Sequence, residues 1–405
     1  MLGWIARDGR IVLVEKAVRT FPYGFLAVVF PVYLSQIGFD TVQIGIVLTL
    51  TVATSALYTF IAGIVGDRLG RRRVLVFFAL TDAVAGLFLL SSTMWWAPVL
   101  AGIVGNMSVG AGEIGPYLSM EQAILPKTAE LKRRTLTFSV YNLVGYASLS
   151  GGALLAGLPD YLGMGLSGYR PLFLGYLASG LFGMFLYSRL SRSVEQDPGV
   201  KRQILSKESR PIVYRLSGLF SVDAFAGGFI GQSILFYYFY TRYGLDLSSL
   251  GLLSAAAQLV TAGSFYFAAR IASRIGLVNT MVFTHIPSNL LLLGIPFAPS
   301  AGLAVGLLLS RQSLSQMDVP TRQSYLMSMV PEADRTPTAG ITNVSRTTAQ
   351  TVSPSISGLA MASLWLGAPF IFAGSLKLVY DVALYKFFRQ AKPPQETRQD
   401  RIQPE

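Results

Sequence analysis

The sequence predicts an all-α membrane protein, with twelve transmembrane helices in two pseudo-symmetric six-helix bundles. Three observations carry that expectation. The first is a shortage of charge. Only 13% of the 405 residues are charged and 52% are hydrophobic. Soluble chains carry about 25% charged residues, so this chain cannot coat a water-exposed globule of its size, and lipid is its expected solvent. The second is a series of twelve apolar runs, each near the roughly 20 residues that cross a bilayer. The third is an internal repeat of about half the chain.

The runs lie at 14–37, 43–65, 74–93, 96–120, 135–157 and 169–188, then at 212–240, 247–270, 277–297, 301–325, 336–358 and 367–388. Most joints are short and carry Gly, Pro or Asp. Residues 1–190 are expected to form the first bundle and 211–390 the second. Between them 191–210 is the longest interior polar stretch and reads as a cytoplasmic linker. Residues 391–405 are rich in Pro, Gln and charge and read as a disordered tail. The first ten residues do not resemble a cleavable signal, because Glu15, Lys16 and Arg19 interrupt the run that follows.

Basic residues set the orientation. With the N-terminus inside, the inner segments hold 25 Lys and Arg and the outer loops hold two, Arg170 and Arg242. That imbalance predicts an even number of spans in the cytoplasmic membrane, with both termini cytoplasmic. The repeat supports the same count. Gly38, Asp40, Gly45, Arg68 and Gly70 match Gly244, Asp246, Gly251, Arg274 and Gly276 at an offset of 206. Glu113 falls on Asp318 at an offset of 205, and Asn142 on Asn343 at 201. Repeated halves are a recurrent transporter architecture, with the solute site near the midplane.

Residues 63–73 read GIVGDRLGRRR, after the second run. This resembles the inner-loop motif of the major facilitator superfamily, and Gly63, Asp67, Arg68, Gly70, Arg71 and Arg72 supply it in full. A weaker copy, ARIASRIG, ends at Gly276, with Ser273 in place of the acid. The resemblance covers roughly residues 11–390 and implies the fold and secondary transport by alternating access. It also implies that Gly63, Asp67, Arg68, Gly70 and Arg71 form a conformational switch rather than a solute site. The stretches 283–299 and 315–331 resemble a prokaryotic subgroup with no established solute, distantly like the drug–proton antiporters.

A charge at bilayer depth costs at least about 2.5–3.5 kcal/mol on insertion scales, so each one is a functional candidate. The spans hold Glu15, Asp82, Glu113, Asp223, Asp318 and Asp381 against Lys16, Arg19, Arg311, Arg322, Arg346 and Lys377. In the superfamily, spans 1, 4, 7 and 10 line the central cavity. That assigns Arg19, Glu113, Asp223, Arg311, Asp318 and Arg322 to proton coupling or cavity lining. Arg311, Ser315, Asp318 and Arg322 are spaced to form one stripe on a helix of 3.6 residues per turn. Asn106, Gln316, Asn343, Arg346 and Gln350 are secondary cavity candidates. Burial favours a neutral carboxyl and a nearby guanidinium an ionised one, so Glu113 and Asp318 are expected to face each other and at least one to exchange a proton. Lys377 and Asp381, four apart, read as a structural pair, and His285 as an interhelical hydrogen-bonding residue. Tyr237, Tyr238, Phe239 and Tyr240 read as an interfacial belt.

Two departures from the drug–proton antiporters stand out. Asn106 occupies the place of their span-4 arginine, and its repeat partner is Arg311. Gly151 and Gly152 lack the proline that precedes such glycines in span 5. The in-span arginines suit a carboxylate or phosphate instead.

The expected function is therefore secondary active transport of a small solute, proton-coupled and in the efflux direction. The alternatives are uptake or facilitated diffusion of an organic anion, and a non-transporting receptor on the same scaffold. The expected partners are the bilayer, a small solute and protons, with the protein working as a monomer. No nucleic acid is expected, because the basic residues lie in short loops between apolar runs. No enzyme activity, cofactor or metal is expected either. There is no Cys and a single His, no P-loop motif occurs, and GAGEIG at 110–115 lacks the strand a dinucleotide fingerprint needs.

Overall fold

The computed structural model describes residues 4–107, 115–125, 128, 134–195, 205–331 and 334–389. The chain is a helical membrane protein with the twelve-helix architecture its sequence predicts. The first half runs through α1 (Arg7–Gln36), α2 (Thr41–Leu69), α3 (Arg71–Ser91), α4 (Trp96–Val104), α5 (Pro116–Ile124), α6 (Arg134–Ala153), the short α7 (Leu158–Leu162) and α8 (Arg170–Ser188). The second runs through α9 (Arg210–Gly228), α10 (Gln232–Tyr243), α11 (Leu247–Ile275), α12 (Leu277–Gly294), α13 (Ala301–Ser315), α14 (Asp318–Ser328), α15 (Arg335–Thr351), α16 (Ser353–Ser363) and α17 (Ala368–Phe388). Among the described residues, eight helical stretches are long and apolar enough to cross a bilayer. Spans 4, 7, 10 and 11 are assembled from broken pieces.

The breaks correct the sequence reading of span 10. Its polar stripe does not lie on one continuous helix, because α13 ends at Ser315 and α14 begins at Asp318. Span 4, its repeat counterpart, is likewise split between α4 and α5. Span 7 breaks at 229–231, just beyond Gly227 and Gly228. Interrupted helices free backbone groups that only a protein-lined or water-lined interior can satisfy.

The repeat is visible in the backbone. Gly38 and Gly244 have φ of +98° and +64°, and Gly70 and Gly276 have +92° and +85°. A side chain is strained at such angles, so these turns select glycine. Asp40 and Asp246 open α2 and α11, their carboxylates accepting from the backbone N–H of Gln43 at 2.8 Å and of Ser249 at 2.9 Å.

The described chain gathers into two compact units. One comprises Met1–Val200, Ile230–Leu259 and Pro354–Leu366; the other comprises Lys201–Phe229, Val260–Ser353 and Gly367–Glu405. In the first, α1 lies directly on α6, so close that a Cβ at Gly152 would collide with the Phe21 carbonyl oxygen. Small residues allow this approach between helices in lipid. The pieces contributed by the second half bind here through backbone and small side chains. Ser233 donates to the Ala27 carbonyl at 2.9 Å, the Leu247 N–H to Asp160 at 2.9 Å, and the Ser355 N–H to Thr49 at 2.8 Å. A core of Val12, Leu75, Phe78 and Tyr117 fills the unit. In the other unit, Leu216, Phe220, Met281, Tyr325 and Leu384 form the core.

Large apolar side chains such as Leu57, Phe60, Leu143, Phe182, Leu252, Leu259, Val379 and Val382 are exposed, while most in-span charges are buried. That inside-out distribution suits a lipid solvent. The aromatic run of α10 differs from the expected belt. Tyr237, Tyr238 and Phe239 are buried in the packing rather than displayed at an interface.

Candidate functional site

Each half buries one cluster of charge. In the first, Glu15, Lys16 and Arg19 lie on consecutive turns of α1, and all three are buried. Arg19 bonds Glu15 through Nε at 3.1 Å and Glu121 of α5 through Nη2 at 2.7 Å. The Tyr187 hydroxyl of α8 stands 2.5 Å from Glu15 and 2.7 Å from Glu121. Tyr141 of α6 donates to Glu121 at 2.6 Å and receives Lys16 Nζ at 3.1 Å. The Tyr117 ring lies 4.1 Å from the Arg19 guanidinium.

A third carboxylate, Asp82 of α3, is held by neutral donors. It accepts from Tyr117 at 2.7 Å, Tyr176 at 2.9 Å, Tyr23 at 3.4 Å and the backbone N–H of Asn106 at 2.8 Å. Asn106 lies just past Gly105, the C-cap of α4, so Asp82 anchors the chain where span 4 breaks.

In the second half, Asp223 of α9 is the hub. Lys377 of α17 reaches it at 2.5 Å and Arg322 of α14 at 3.2 Å; Arg322 also holds Asp318 at 2.7 Å. His285 of α12 lies 3.9 Å from Asp223 through Nε2 and 2.7 Å from Asp381 of α17 through Nδ1. Asp381 also accepts from Asn289 at 2.8 Å. An ionised Asp381 favours the tautomer with the ring proton on Nδ1. The expected Lys377–Asp381 pair is corrected here. Their spacing allows contact on one helix, but Asp223 and His285 from packed neighbours offer closer partners.

Two arginines border this cluster without a carboxylate of their own among the described residues. Arg311, near the end of α13, is 7% exposed. Its Nη1 donates to Gln312 at 2.9 Å, and its Nε has no partner. Arg346 of α15 also has an unpaired, buried Nε. Both guanidiniums feel the charges of Asp223 and Asp318. Gln350 packs against Gly228, Gln316 is half-buried in the break of span 10, and Asn343 is exposed.

At the motif loop, Gly70 takes the positive φ and Arg71 begins α3. The N–H of Arg71 donates to Glu195 at 2.6 Å and that of Arg72 at 3.3 Å, so a carboxylate caps this helix where its dipole favours negative charge. The Arg71 guanidinium holds the carbonyls of Ala123 and Val194 at 3.1 and 3.4 Å. Gly63, Asp67 and Arg68 lie on the last turns of α2, and their side chains are outside the described set. Glu113 also lies outside the described residues, so its expected facing of Asp318 is a proposal. Among the described residues, no group of three His, Cys, Asp or Glu gathers as a metal site.

Sequence reasoning missed Glu121, Tyr187, Tyr141 and Glu195. Glu121 fell one residue beyond the apolar run that ended at 120. The tyrosines read as apolar bulk, and Glu195 as solvated linker.

An interior of paired charges within broken spans defines a solute carrier fold, and the comparisons agree. Residues 17–315 match the model of the Major Facilitator Superfamily, and the chain belongs to that family. It is similar to an uncharacterised membrane protein of Saccharomyces cerevisiae, YJR124C, at 26% identity over 95% of this chain and 94% of that one. An MFS-type transporter of Bacillus subtilis, YfkF, is 33% identical over 27% of each chain. Among solved structures, a mutant form of the nucleoside transporter NupG covers 94% of this chain and all of its own at a TM-score of 0.74 and 14% identity. A D-xylose–proton symporter covers 94% and 97% at 0.72 and 14%. An inward-facing bacterial homologue of the iron transporter ferroportin covers 94% and 98% at 0.69 and 15%. At these identities the likeness shows the fold.

Proposed function

We propose that this protein is a secondary active transporter that moves a small solute across the cytoplasmic membrane by alternating access, coupled to protons. Its termini are cytoplasmic, and the two halves, 1–190 and 211–390, are the moving bodies. The observation that carries the reading is the pair of buried charge clusters. Buried ion pairs are weak evidence for stability, because desolvation offsets their attraction. Their retention is better explained by a path that opens to each face in turn. Asp223, Asp318 and Arg322 line that path in the second half, with Glu113 and Arg19 in the first. Asn106, Gln316, Asn343, Arg346 and Gln350 are secondary lining residues. Gly63, Asp67, Arg68, Gly70 and Arg71 form the switch, supported by Arg71 tying α3 to α5. Efflux rests on the resemblance to the antiporters.

A second reading concerns the solute. Arg311, Arg322, Arg346 and Lys377 outnumber Asp223, Asp318 and Asp381, and two of the guanidiniums keep unpaired nitrogens. That excess favours an organic anion, whose carboxylate or phosphate fits a guanidinium fork.

Transport into liposomes by wild type, Asp318→Asn and Glu113→Gln, with and without a pH gradient, tests the coupling. Gradient-driven flux that falls in either variant supports it. Unchanged pH-driven rates in both remove it.

A further inference from the structure

In the first-half cluster the hydrogen-bond geometry allows the available hydrogens to be counted against the contacts. Tyr187 has one hydroxyl hydrogen, yet carboxylate oxygens of Glu15 and Glu121 approach its oxygen at 2.5 and 2.7 Å. One contact uses that hydrogen. The other would set lone pairs of two oxygens against each other unless the carboxyl itself donates. An ionised carboxylate only accepts, whereas a protonated one carries a donor. Among the described contacts, the donors from other elements do not resolve the conflict. Tyr141 and Arg19 Nη2 both bond Glu121 Oε2, not the Oε1 that meets Tyr187. Arg19 Nε spans both oxygens of Glu15 at 3.1 Å. Lys16 of α1 bonds Tyr141 of α6. Tyr117 of α5 is committed to Asp82 of α3, and Tyr23 of α1 points to the same Asp82.

We propose that Glu15, Glu121 and Tyr187 form a single-proton binding site, with one dissociable proton shared between the two carboxyl groups across the tyrosine hydroxyl. Loading forms the O–H bond on Glu15 or Glu121. Unloading breaks it, the proton leaves to water, and both carboxylates are left to Arg19, Lys16 and the two tyrosines. Because the site joins α1, α5 and α8, and Tyr141 of α6 bonds its Glu121, a change in its proton count bears on the packing of four helices at once. The inference rests on the proton-coupled reading above and adds its coupling site, which shares no residue with the second-half cluster.

The test is infrared difference spectroscopy of the purified full chain at neutral pH, following the protonated-carboxyl C=O band identified by its downshift in D2O. Wild type is expected to show the band. Glu15→Gln and Glu121→Gln are each expected to lose it, because the remaining carboxylate takes the Tyr187 hydrogen alone. Tyr187→Phe, which keeps both acids, is expected to shift the band rather than leave it unmoved, and this holds the test open if a Gln variant does not fold. Absence of the band in wild type, its survival in both Gln variants, or its loss in Asp82→Asn instead would overturn the proposal. Failure of the transport reading would look different: the band would follow Glu15 and Glu121 while no solute moved in proteoliposomes.

Discussion

In the first half, two carboxyl groups crowd onto one tyrosine and one arginine. In the second, two carboxylates at the centre are ringed by Arg322, Lys377, His285, Arg311 and Arg346. Both clusters lie beside interrupted spans at matching points of the repeat. The backbone symmetry is therefore kept in Gly38 and Gly244, Asp40 and Asp246, and Gly70 and Gly276, while the buried charge is not. A duplicated scaffold fixes where polar groups can be buried. The side chains placed there make one half short of hydrogens and the other rich in positive charge.

The most damaging change should fall on the second-half hub. Asp223→Asn leaves Lys377 with a buried charge uncompensated while Arg322 keeps Asp318, and breaking such a pair costs about 3–5 kcal/mol. Thermal unfolding in detergent should show a large loss of stability, and adding Lys377→Met should recover part of it. Equal melting of wild type and Asp223→Asn would show that water already reaches this cluster.

The first-half cluster depends on the close seat of α1 on α6. Gly152→Ala would press a methyl group against the Phe21 carbonyl. Overpacking of this kind costs about 1–3 kcal/mol. The same melting experiment checks it, and Gly218→Ala, where a Cβ meets nothing within 4 Å, is the control expected to stay near wild type.

Tyr141→Phe removes the hydroxyl between Lys16 and Glu121 while keeping the ring. Loss of these two hydrogen bonds to charged groups should cost about 1–3 kcal/mol. Chemical unfolding would separate this from Tyr238→Phe, whose ring is also buried but bears on neither cluster.

The smallest effect belongs to the repeated caps. The hydroxyl and N–H of Ser249 hold the Asp246 carboxyl below its usual range. A depressed folded value adds stability above the unfolded value near pH 4 and loses it as pH falls through the folded one. Asp246→Ala should cost about 1 kcal/mol at neutral pH and less in acid. Asp246→Asn should keep most of the cap and lose the pH dependence, read from melting across a pH series.

Much of this was legible in the sequence. Asp223, Asp318 and Arg322 stood out because a charge in an apolar run needs a reason, and the turns stood out because their glycines repeat. The pairing was not legible. Spacing offered Lys377 to Asp381, but packing of α17 against α9 and α12 gave Lys377 to Asp223 and Asp381 to His285. Tyr187 and Tyr141 were hidden for a related reason. A tyrosine in an apolar run counts as bulk until the fold shows which acid its hydroxyl meets.

Accumulation of labelled small carboxylates, phosphates, sugars and nucleosides in proteoliposomes under an imposed pH gradient, by wild type and Arg311→Gln, tests the division of charge most directly. The account predicts that an anion accumulates in wild type, stops when a protonophore collapses the gradient, and falls about tenfold or more in Arg311→Gln, as loss of a charge-assisted contact implies. A neutral solute carried equally by both proteins, indifferent to the gradient, would contradict it.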